Sequence, residues 1–235
     1  MLKGWEINLL TMKPIIGIVG RCQNNDGYTF VGVIDTLRIA ILECGGIPIL
    51  ILPTQKIEYD KCLPTDVSNM NSEEREDLIK QIKLCDGIII PGGNKIFEYD
   101  TFISEYVKKE DINVLGICLG MQIMSLTNYI DNLNIVNNHN KKDKYVHMIK
   151  TKENSILREV LGEYLSVNSR HKECIKDNND YNITAISNDG IIEGLEYPFN
   201  KFNVGVQWHP ESMIYYDKKQ YNLIKLFIEK CKNKS

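Results

Sequence analysis

Short runs of apolar, mostly β-branched residues alternate along the chain with longer amphipathic stretches. The short runs are predicted to be strands, at Ile15–Val19, Ile47–Leu52, Gly87–Ile90, Val114–Ile117 and Val204–Gln207. The amphipathic stretches are predicted to be helices, at Phe30–Cys44, Glu73–Leu84, about Leu119–Leu126 and Tyr216–Cys231. Strands that alternate with helices form parallel sheets covered on both faces. The pattern therefore predicts a three-layer α/β sandwich with a mostly parallel central sheet.

Several boundaries carry local signals. Gly45-Gly46 is a strong helix stop, and Asn71 or Ser72 can cap the helix that follows. Residues 133–195 show little helical periodicity and are predicted to be rich in strands. Because no linker-like tract divides the 235 residues, we expect residues 1–13 to form an N-terminal extension and residues 14–235 a single domain.

The composition narrows the class of protein. With 43% hydrophobic and 25% charged residues the chain is an ordinary globular one, and its net charge of −3 predicts neither a nucleic-acid nor a membrane partner. The uncharged stretch 112–130 approaches membrane-spanning length, but its polar residues and glycines favour a buried strand, a turn and a helix. The seven cysteines are scattered without a C-x-x-C pair, which argues against zinc knuckles and a secreted disulfide framework and favours a reducing, cytoplasmic setting.

The segment Gly116–Gly120 has the form glycine, any residue, nucleophile, any residue, glycine between a predicted strand and a predicted helix. A nucleophile on such a sharp turn is pushed out of the sheet, and glycines on either side allow the neighbouring chain to approach. The turn also places the Cys118 thiol at a helix N-terminus, where backbone N–H groups favour thiolate over thiol. We therefore expect Cys118 to be a nucleophile, whereas the other cysteines are expected to be small core residues.

An attacked acyl carbon requires two preorganised hydrogen-bond donors for its oxyanion. The backbone N–H of Leu119, directly after the nucleophile, is one predicted donor. Pro91-Gly92-Gly93 ends the preceding strand, and its glycines let backbone N–H groups approach a substrate closely. The sequence thus makes this loop the candidate source of the second donor.

A thiol nucleophile needs an imidazole within hydrogen-bond reach, and that imidazole needs a carboxylate to fix its tautomer. His209 follows the predicted strand Val204–Gln207, and Glu211 stands two residues further on, across Pro210. We expect His209 to be the base and Glu211 the residue that orients it.

Two motifs carry a family resemblance. GICLGMQ at Gly116–Gln122 and GVQWHPE at Gly205–Glu211 closely resemble the signatures of the class I glutamine amidotransferases, which use a Cys-His-Glu triad. The segment Val167–His171 and the later Ile191–Leu195 resemble the γ-glutamyl hydrolase (peptidase C26) branch, which includes the γ-glutamyl-γ-aminobutyrate hydrolases. In that branch a histidine also often stands near the position of His147. The resemblance implies a class I glutamine amidotransferase-like (flavodoxin-like) fold over residue 14 to the C-terminus.

The resemblance also implies an activity, the hydrolysis of a γ-glutamyl amide through a γ-glutamyl thioester on cysteine. It assigns Cys118 as nucleophile, His209 as general base and acid, and Glu211 as its orienter. The implied oxyanion donors are Gly93 and Leu119, and the implied substrate-binding residues are Gln122, Ser169 and His171. His171 is alternatively an ordinary surface histidine.

Two departures from the hydrolase branch lie near the expected leaving-group side. The branch usually continues its Gly-Gly loop with aspartate and then proline, where this chain has Asn94-Lys95, and it often has a second histidine and a glutamine where this chain has Lys172-Glu173. The hypothesis that follows is that Lys95 or Lys172 favours an acidic leaving group, the alternative being a solvated surface lysine. The sequence leaves the released amine open.

The leading interpretation is a stand-alone γ-glutamyl amide hydrolase that takes a small-molecule substrate, without a cofactor and compatible with a homodimer. The alternative is a glutaminase subunit that supplies ammonia to a separate synthase. A non-catalytic binding protein on the same scaffold is disfavoured because Cys118, His209 and Glu211 are all present. No metal site is expected, because no cluster of histidine and cysteine ligands is visible in the sequence.

Overall fold

The computed structural model describes residues 12–59, 70–126 and 133–232, and thirteen strands lie within these residues. In chain order the strands are β1 (Ile15–Val19), β2 (Arg21–Asn25), β3 (Tyr28–Gly32), β4 (Ile47–Ile51), β5 (Gly87–Ile90), β6 (Val114–Ile117), β7 (Leu133–Ile135), β8 (His147–Thr151), β9 (Tyr164–Val167), β10 (Glu173–Ile175), β11 (Asn182–Ser187), β12 (Ile192–Glu196) and β13 (Asn203–Val206). The helices are α1 (Asp35–Glu43), α2 (Ser72–Lys83), α3 (Glu98–Lys109), α4 (Leu119–Ser125), α5 (Ile156–Leu161) and α6 (Lys218–Cys231), with a 3-10 turn at Pro210–Ser212.

Nine of the described strands form one sheet in the order β4-β1-β5-β6-β13-β12-β11-β8-β9. The first five are parallel neighbours, and the remaining four continue the sheet as antiparallel strands. β7 pairs with β10, and β2 pairs with β3, outside this sheet. The predicted α/β sandwich with a mostly parallel central sheet is confirmed. Its parallel part follows from the buried, β-branched strands that the sequence shows.

Alternate residues of the central strands enter two separate cores. Ile89 and Leu115 belong to the core that contains α1, α5 and α6, whereas Ile88, Ile90 and Val114 belong to the core that contains α2, α3 and α4. Because successive side chains of a strand point to opposite faces, this division shows helices on both sides of the sheet. The carboxyl ends of the parallel strands lie at one common edge of the sheet, where Cys118 follows β6 and His209 follows β13.

The helix signals in the sequence work largely as expected. Asn71 caps α2, because its side chain accepts a hydrogen bond from the backbone N–H of Glu74, whose carboxylate in turn accepts from the Asn71 N–H. The chain leaves α1 at Cys44, and Gly45 follows with φ of +90°, a left-handed conformation that suits glycine. The strands Gly87–Ile90 and Val114–Ile117 have the predicted bounds.

The expected helix Phe30–Cys44 is wrong over its first third. Phe30 belongs to β3, which pairs with β2 in a hairpin, and the helix begins only at Asp35. The hairpin turn places Asp26 at φ +51° and Gly27 at φ +83°, a combination that an Asp-Gly pair adopts readily. The Asp26-Gly27 turn therefore determines the local structure, and the helical periodicity of the residues that follow is too weak to extend the helix back to Phe30.

The sequence prediction also omits α3, although its buried residues Tyr99, Ile103 and Val107 follow helical spacing. None of the described helices is long and apolar enough to span a membrane. The cysteine Cys62 and residues 1–11 of the expected N-terminal extension lie outside the described residues.

Candidate active site

Cys118 lies on the sharp connection between β6 and α4. Its backbone has φ +54° and ψ −107°, a strained combination for a residue with a Cβ. The backbone N–H of Cys118 donates to the carbonyl of Val206, at a distance of 2.8 Å, which fixes the turn to the end of β13. A Cβ added to Gly120 would lie 1.8 Å from the carbonyl oxygen of Ile90, so only glycine fits there. The motif thus has the close backbone approach that its spacing predicts.

His209 follows β13 and is held at both its backbone and its ring. The side chain of Asn168 accepts from the His209 N–H and donates to the His209 carbonyl, each at 2.8 Å. His209 Nδ1 lies 2.8 Å from Glu211 Oε1, and Glu211 is buried within the 3-10 turn. Nδ1 therefore faces the carboxylate, and the second ring nitrogen, Nε2, is left to face the site.

The charge of His209 is controlled by its neighbours. Burial alone would lower its pKa, but the Glu211 carboxylate and the contact with Cys118 together raise the pKa of His209 to about 10. Negative charge on Glu211 or on the Cys118 sulfur therefore stabilises the protonated form of the imidazole.

The side chains of Cys118 and His209 meet above Gly92. A Cβ built on Gly92 would lie 2.9 Å from His209 Cε1 and 3.5 Å from Cys118 Cβ. Gln207 Nε2 approaches Cys118 Sγ at 3.6 Å from the same side. The residues predicted as nucleophile, base and orienter are therefore brought together at the carboxyl edge of the sheet, although they lie up to 93 positions apart in the sequence.

The thiol opens into a cavity of about 380 Å³. Its wall is formed by Gly93, Asn94, Cys118, Leu119, Gln122, Asn140, Arg170, His171, Lys172 and Glu173. A Cβ on Gly93 would come within 3.2 Å of the Leu119 side chain, so the two predicted oxyanion-hole residues are neighbours. A second cavity of about 450 Å³ adjoins the first, with Gly93 and Asn94 in both walls and Lys95 in the second.

A buried ion pair that sequence analysis missed holds the Gly92-Gly93 loop. Arg21 donates from Nε and Nη2 to the carbonyl of Pro91, at 3.2 and 2.9 Å, and pairs through Nη1 with Asp100. Burial raises the pKa of Asp100 and the Arg21 charge opposes this rise. Arg21 is the first residue of the β2–β3 hairpin and Asp100 lies in the omitted helix α3, so only the tertiary structure shows that both support the loop.

The three predicted substrate-binding residues occupy different environments. Gln122 lines the cavity, and its Nε2 donates to the Glu173 carbonyl at 2.9 Å and to Gln207 Oε1 at 3.1 Å. His171 also lines the cavity, and its ring is almost fully buried, which does not fit an ordinary surface histidine. Ser169 is fully buried, its hydroxyl donates to the His139 carbonyl, and it does not belong to the cavity wall. The structure thus places Ser169 in support of the wall.

The expectation that no metal-type ligands cluster is wrong for the described residues. His139, His171 and Glu193 bring one donor atom each to within 4.8 Å of one another, and all three are buried. These residues are separated by up to 54 positions in the sequence. No ligand spacing is therefore visible along the chain, and the pairing of antiparallel strands creates the cluster.

Comparison with known proteins places this geometry in a wider context. The family model described as Peptidase C26 matches residues 97–211, which contain all three predicted triad positions. The chain is 27% identical to a glutamine amidotransferase-like protein of Rickettsia prowazekii (strain Madrid E), covering 85% of this chain and 91% of that protein. It is 26% identical to the CTP synthase of Lactobacillus helveticus (strain DPC 4571), covering 66% of this chain but only 35% of the synthase.

The fold has solved counterparts. The glutaminase domain of Trypanosoma brucei CTPS, solved with bound acivicin, superimposes with a TM-score of 0.62 at 16% identity, covering 92% of this chain and 94% of that one. At this identity the likeness shows the shared fold alone.

Proposed function

Because the chain belongs to the class I glutamine amidotransferase-like superfamily, we propose that it hydrolyses a γ-glutamyl amide through a covalent thioester on Cys118. The products are glutamate and an amine. The observation that carries the proposal is the meeting of Cys118 with the His209–Glu211 pair above Gly92, in the wall of a cavity.

The first half-reaction forms the thioester. His209, whose raised pKa favours the imidazolium, holds the proton that the Cys118 thiol gives up, and Sγ attacks the γ-carbonyl carbon of the substrate. The oxyanion of the tetrahedral intermediate receives hydrogen bonds from the backbone N–H groups of Gly93 and Leu119. The C–N bond then breaks as His209 returns the proton to the departing amine nitrogen.

The second half-reaction releases glutamate. A water molecule gives a proton to His209 and attacks the thioester carbonyl, and the C–S bond breaks with return of the proton to sulfur. Glu211 contributes by keeping Nδ1 of His209 engaged, at 2.8 Å, so that Nε2 remains directed at the reacting atoms in both halves.

The cavity wall supports an acidic leaving group. Arg170 and Lys172 bring two positive charges to the wall around Cys118, against one carboxylate from Glu173, whereas Lys95 lies in the adjoining cavity. Lys172→Ala should lower the preference for an acidic over a neutral γ-glutamyl amide by about 2- to 5-fold, the range expected for exposed charges. Lys95→Ala is the matched control, and an equal effect of both variants would remove Lys172 from the leaving-group side.

A second function, a glutaminase subunit that supplies ammonia to a separate synthase, is favoured by the similarity to CTP synthase. The two functions differ in what the isolated chain does. A stand-alone hydrolase turns over a panel of γ-glutamyl amides without a partner, whereas a subunit hydrolyses glutamine slowly until a synthase is added.

The test of the proposal is glutamate release from glutamine, γ-glutamyl-γ-aminobutyrate and γ-glutamyl peptides by the wild-type chain and by Cys118→Ser. We expect the variant to lose at least about 10⁴-fold in kcat while it keeps its thermal stability, since the two side chains are nearly isosteric. Cys85→Ser, in the core beside α2, is the matched control and should keep its activity. Comparable turnover by Cys118→Ser would contradict the proposed nucleophile.

A further inference from the structure

Three histidines surround one buried carboxylate next to the proposed active site. Glu193 lies on β12 and is fully buried. Its Oε1 lies 3.4 Å from His139 Nδ1, 3.1 Å from His147 Nε2 and 3.6 Å from His171 Nε2. His139 Nδ1 and His171 Nε2 are themselves 3.2 Å apart. The ligand atoms of His139, His171 and Glu193 thus converge on one small volume, and His147 borders it.

The outer ring nitrogens of two histidines have partners that fix their tautomers. His171 Nδ1 lies 2.9 Å from the carbonyl of Glu173, which can only accept, so Nδ1 carries the proton. His139 Nε2 lies 2.9 Å from the Asp189 carboxylate, which likewise favours a proton on Nε2. In the neutral rings, His139 Nδ1 and His171 Nε2 therefore direct lone pairs at each other and at Glu193.

This arrangement leaves buried polar atoms without hydrogen-bond partners. Within the described residues, neither carboxylate oxygen of Glu193 and neither ring nitrogen of His147 has a hydrogen bond of acceptable geometry. A buried carboxylate without a cation or donors is costly, and converging lone pairs add repulsion. The cluster is therefore complementary to a positive charge at its centre.

We infer that His139, His171 and Glu193 bind a zinc ion. Imidazole nitrogens exclude Ca²⁺ and Mg²⁺ as preferred ions and suit Zn²⁺. Ligand atoms at about 2.0–2.1 Å from the ion in tetrahedral geometry lie about 3.3–3.4 Å apart. The three separations among the ligand atoms of His139, His171 and Glu193, from 3.2 to 3.6 Å, scatter around that spacing.

The outer partners and the charges agree with a zinc ion. Histidines that bind a metal generally donate their other N–H to a carboxylate or a backbone carbonyl, as His139 does to Asp189 and His171 to Glu173. The two carboxylates, Glu193 and Asp189, compensate the two positive charges of the ion. The zinc ion would fix His171 in the wall of the cavity that contains Cys118, and so shape the leaving-group side of the site.

The metal content of the chain, rather than its activity, tests the inference. A failure of the inference is therefore distinguishable from a failure of the proposed hydrolysis. The full chain, stripped with a chelator and dialysed against micromolar Zn²⁺, should bind one zinc ion per chain and gain thermal stability. Cys118→Ser and His209→Asn should retain the ion, which separates this site from the thiol and from the one histidine outside the cluster.

Two variants locate the ion. Glu193→Gln should abolish stoichiometric binding. Asp189→Asn, an exposed change in a turn that leaves the core untouched, should weaken zinc affinity by about 10- to 100-fold through His139. Asp143→Asn is the matched control and should bind zinc normally.

Absence of bound zinc in the wild-type chain would overturn the inference and leave a protonated histidine cluster in its place. Zinc binding that survives both Glu193→Gln and Asp189→Asn would overturn it equally, since the ion would then lie elsewhere.

Discussion

Each half of the central sheet buries a carboxylate beside imidazole rings, but the two arrangements differ. At the end of the parallel half, Glu211 contacts one ring, that of His209, at 2.8 Å, and the opposite nitrogen of that ring faces a thiol. In the antiparallel half, Glu193 contacts three rings at 3.1–3.6 Å, and the lone pairs of His139 and His171 converge on it. The two sites use the same residue types. The orientation of the ring nitrogens distinguishes the His209–Glu211 pair, which is proposed to transfer a proton, from the Glu193 cluster, which is proposed to bind a cation.

The sharpest test of this comparison makes the same substitution in each half. Glu211→Gln should lower kcat by about 10²–10⁴-fold with little change in KM, because His209 loses the charge that stabilises its protonated form. Glu193→Gln should change kcat by less than about tenfold and act mainly on zinc content and thermal stability. Steady-state kinetics with parallel melting curves would check both, and the reverse ranking in kcat would break the comparison.

The backbone of the parallel half should tolerate almost no change at the turn. Gly120→Ala places a methyl group 1.8 Å from the Ile90 carbonyl oxygen, so β5 and α4 must separate. We expect a loss of at least about 3 kcal/mol in the free energy of unfolding, measured by urea denaturation. Gly32→Ala is the control, since its new Cβ meets only the Phe30 ring, at 3.6 Å, and should cost less than about 1 kcal/mol. Equal losses would show that the close approach does not constrain the turn.

A smaller effect is expected from the ion pair that supports the oxyanion loop. Arg21→Lys keeps a positive charge near Asp100 but cannot reproduce the two hydrogen bonds to Pro91. The Gly93 N–H should then be less well positioned, and kcat should fall by about 10-fold. Arg38→Lys, at an exposed pair with Asp35, should leave kcat unchanged. A fall in stability without a fall in kcat would assign Arg21 to folding alone.

The pH dependence of stability follows from the raised pKa of His209. The folded pKa of His209, about 10, lies above the unfolded value near 6.5, so its stabilising contribution is complete below pH 6.5 and is lost as pH rises toward 10. The wild-type chain should lose up to about 5 kcal/mol more than His209→Gln between pH 6.5 and pH 10, measured by urea denaturation. If the free energy of unfolding falls equally with pH in the two proteins, the Glu211–His209 pair does not contribute this stability.

The same division of the sheet separates what the sequence could predict from what it could not. The turn at Cys118 is encoded locally, because Gly116 and Gly120 are needed within five residues of each other, and the His209–Glu211 pair spans only three. The fold class follows from five short apolar runs, four of them buried, which become the parallel strands. Local spacing is thus sufficient in the parallel half.

Contacts between distant segments could not be predicted. Arg21 and Asp100 meet across 79 positions, and Asn168 fixes His209 across 41 positions. The histidines of the antiparallel half stand in loops and at strand ends of different hairpins, so their convergence on Glu193 depends on strand register. The resemblance of residues 167–171 and 191–195 to the hydrolase branch indicates that this region is functional. It does not show which side chains meet in the folded chain.

The central claim is that one sulfur atom becomes acylated, and intact-protein mass spectrometry of acid-quenched turnover mixtures measures this directly. With γ-glutamyl amide substrate in excess, the wild-type chain should carry one glutamyl group, and peptide mapping should place it on Cys118. The adduct should disappear in Cys118→Ser and accumulate more slowly in Glu211→Gln. A glutamyl adduct on another residue, or full turnover by Cys118→Ser with no adduct at all, would contradict the account.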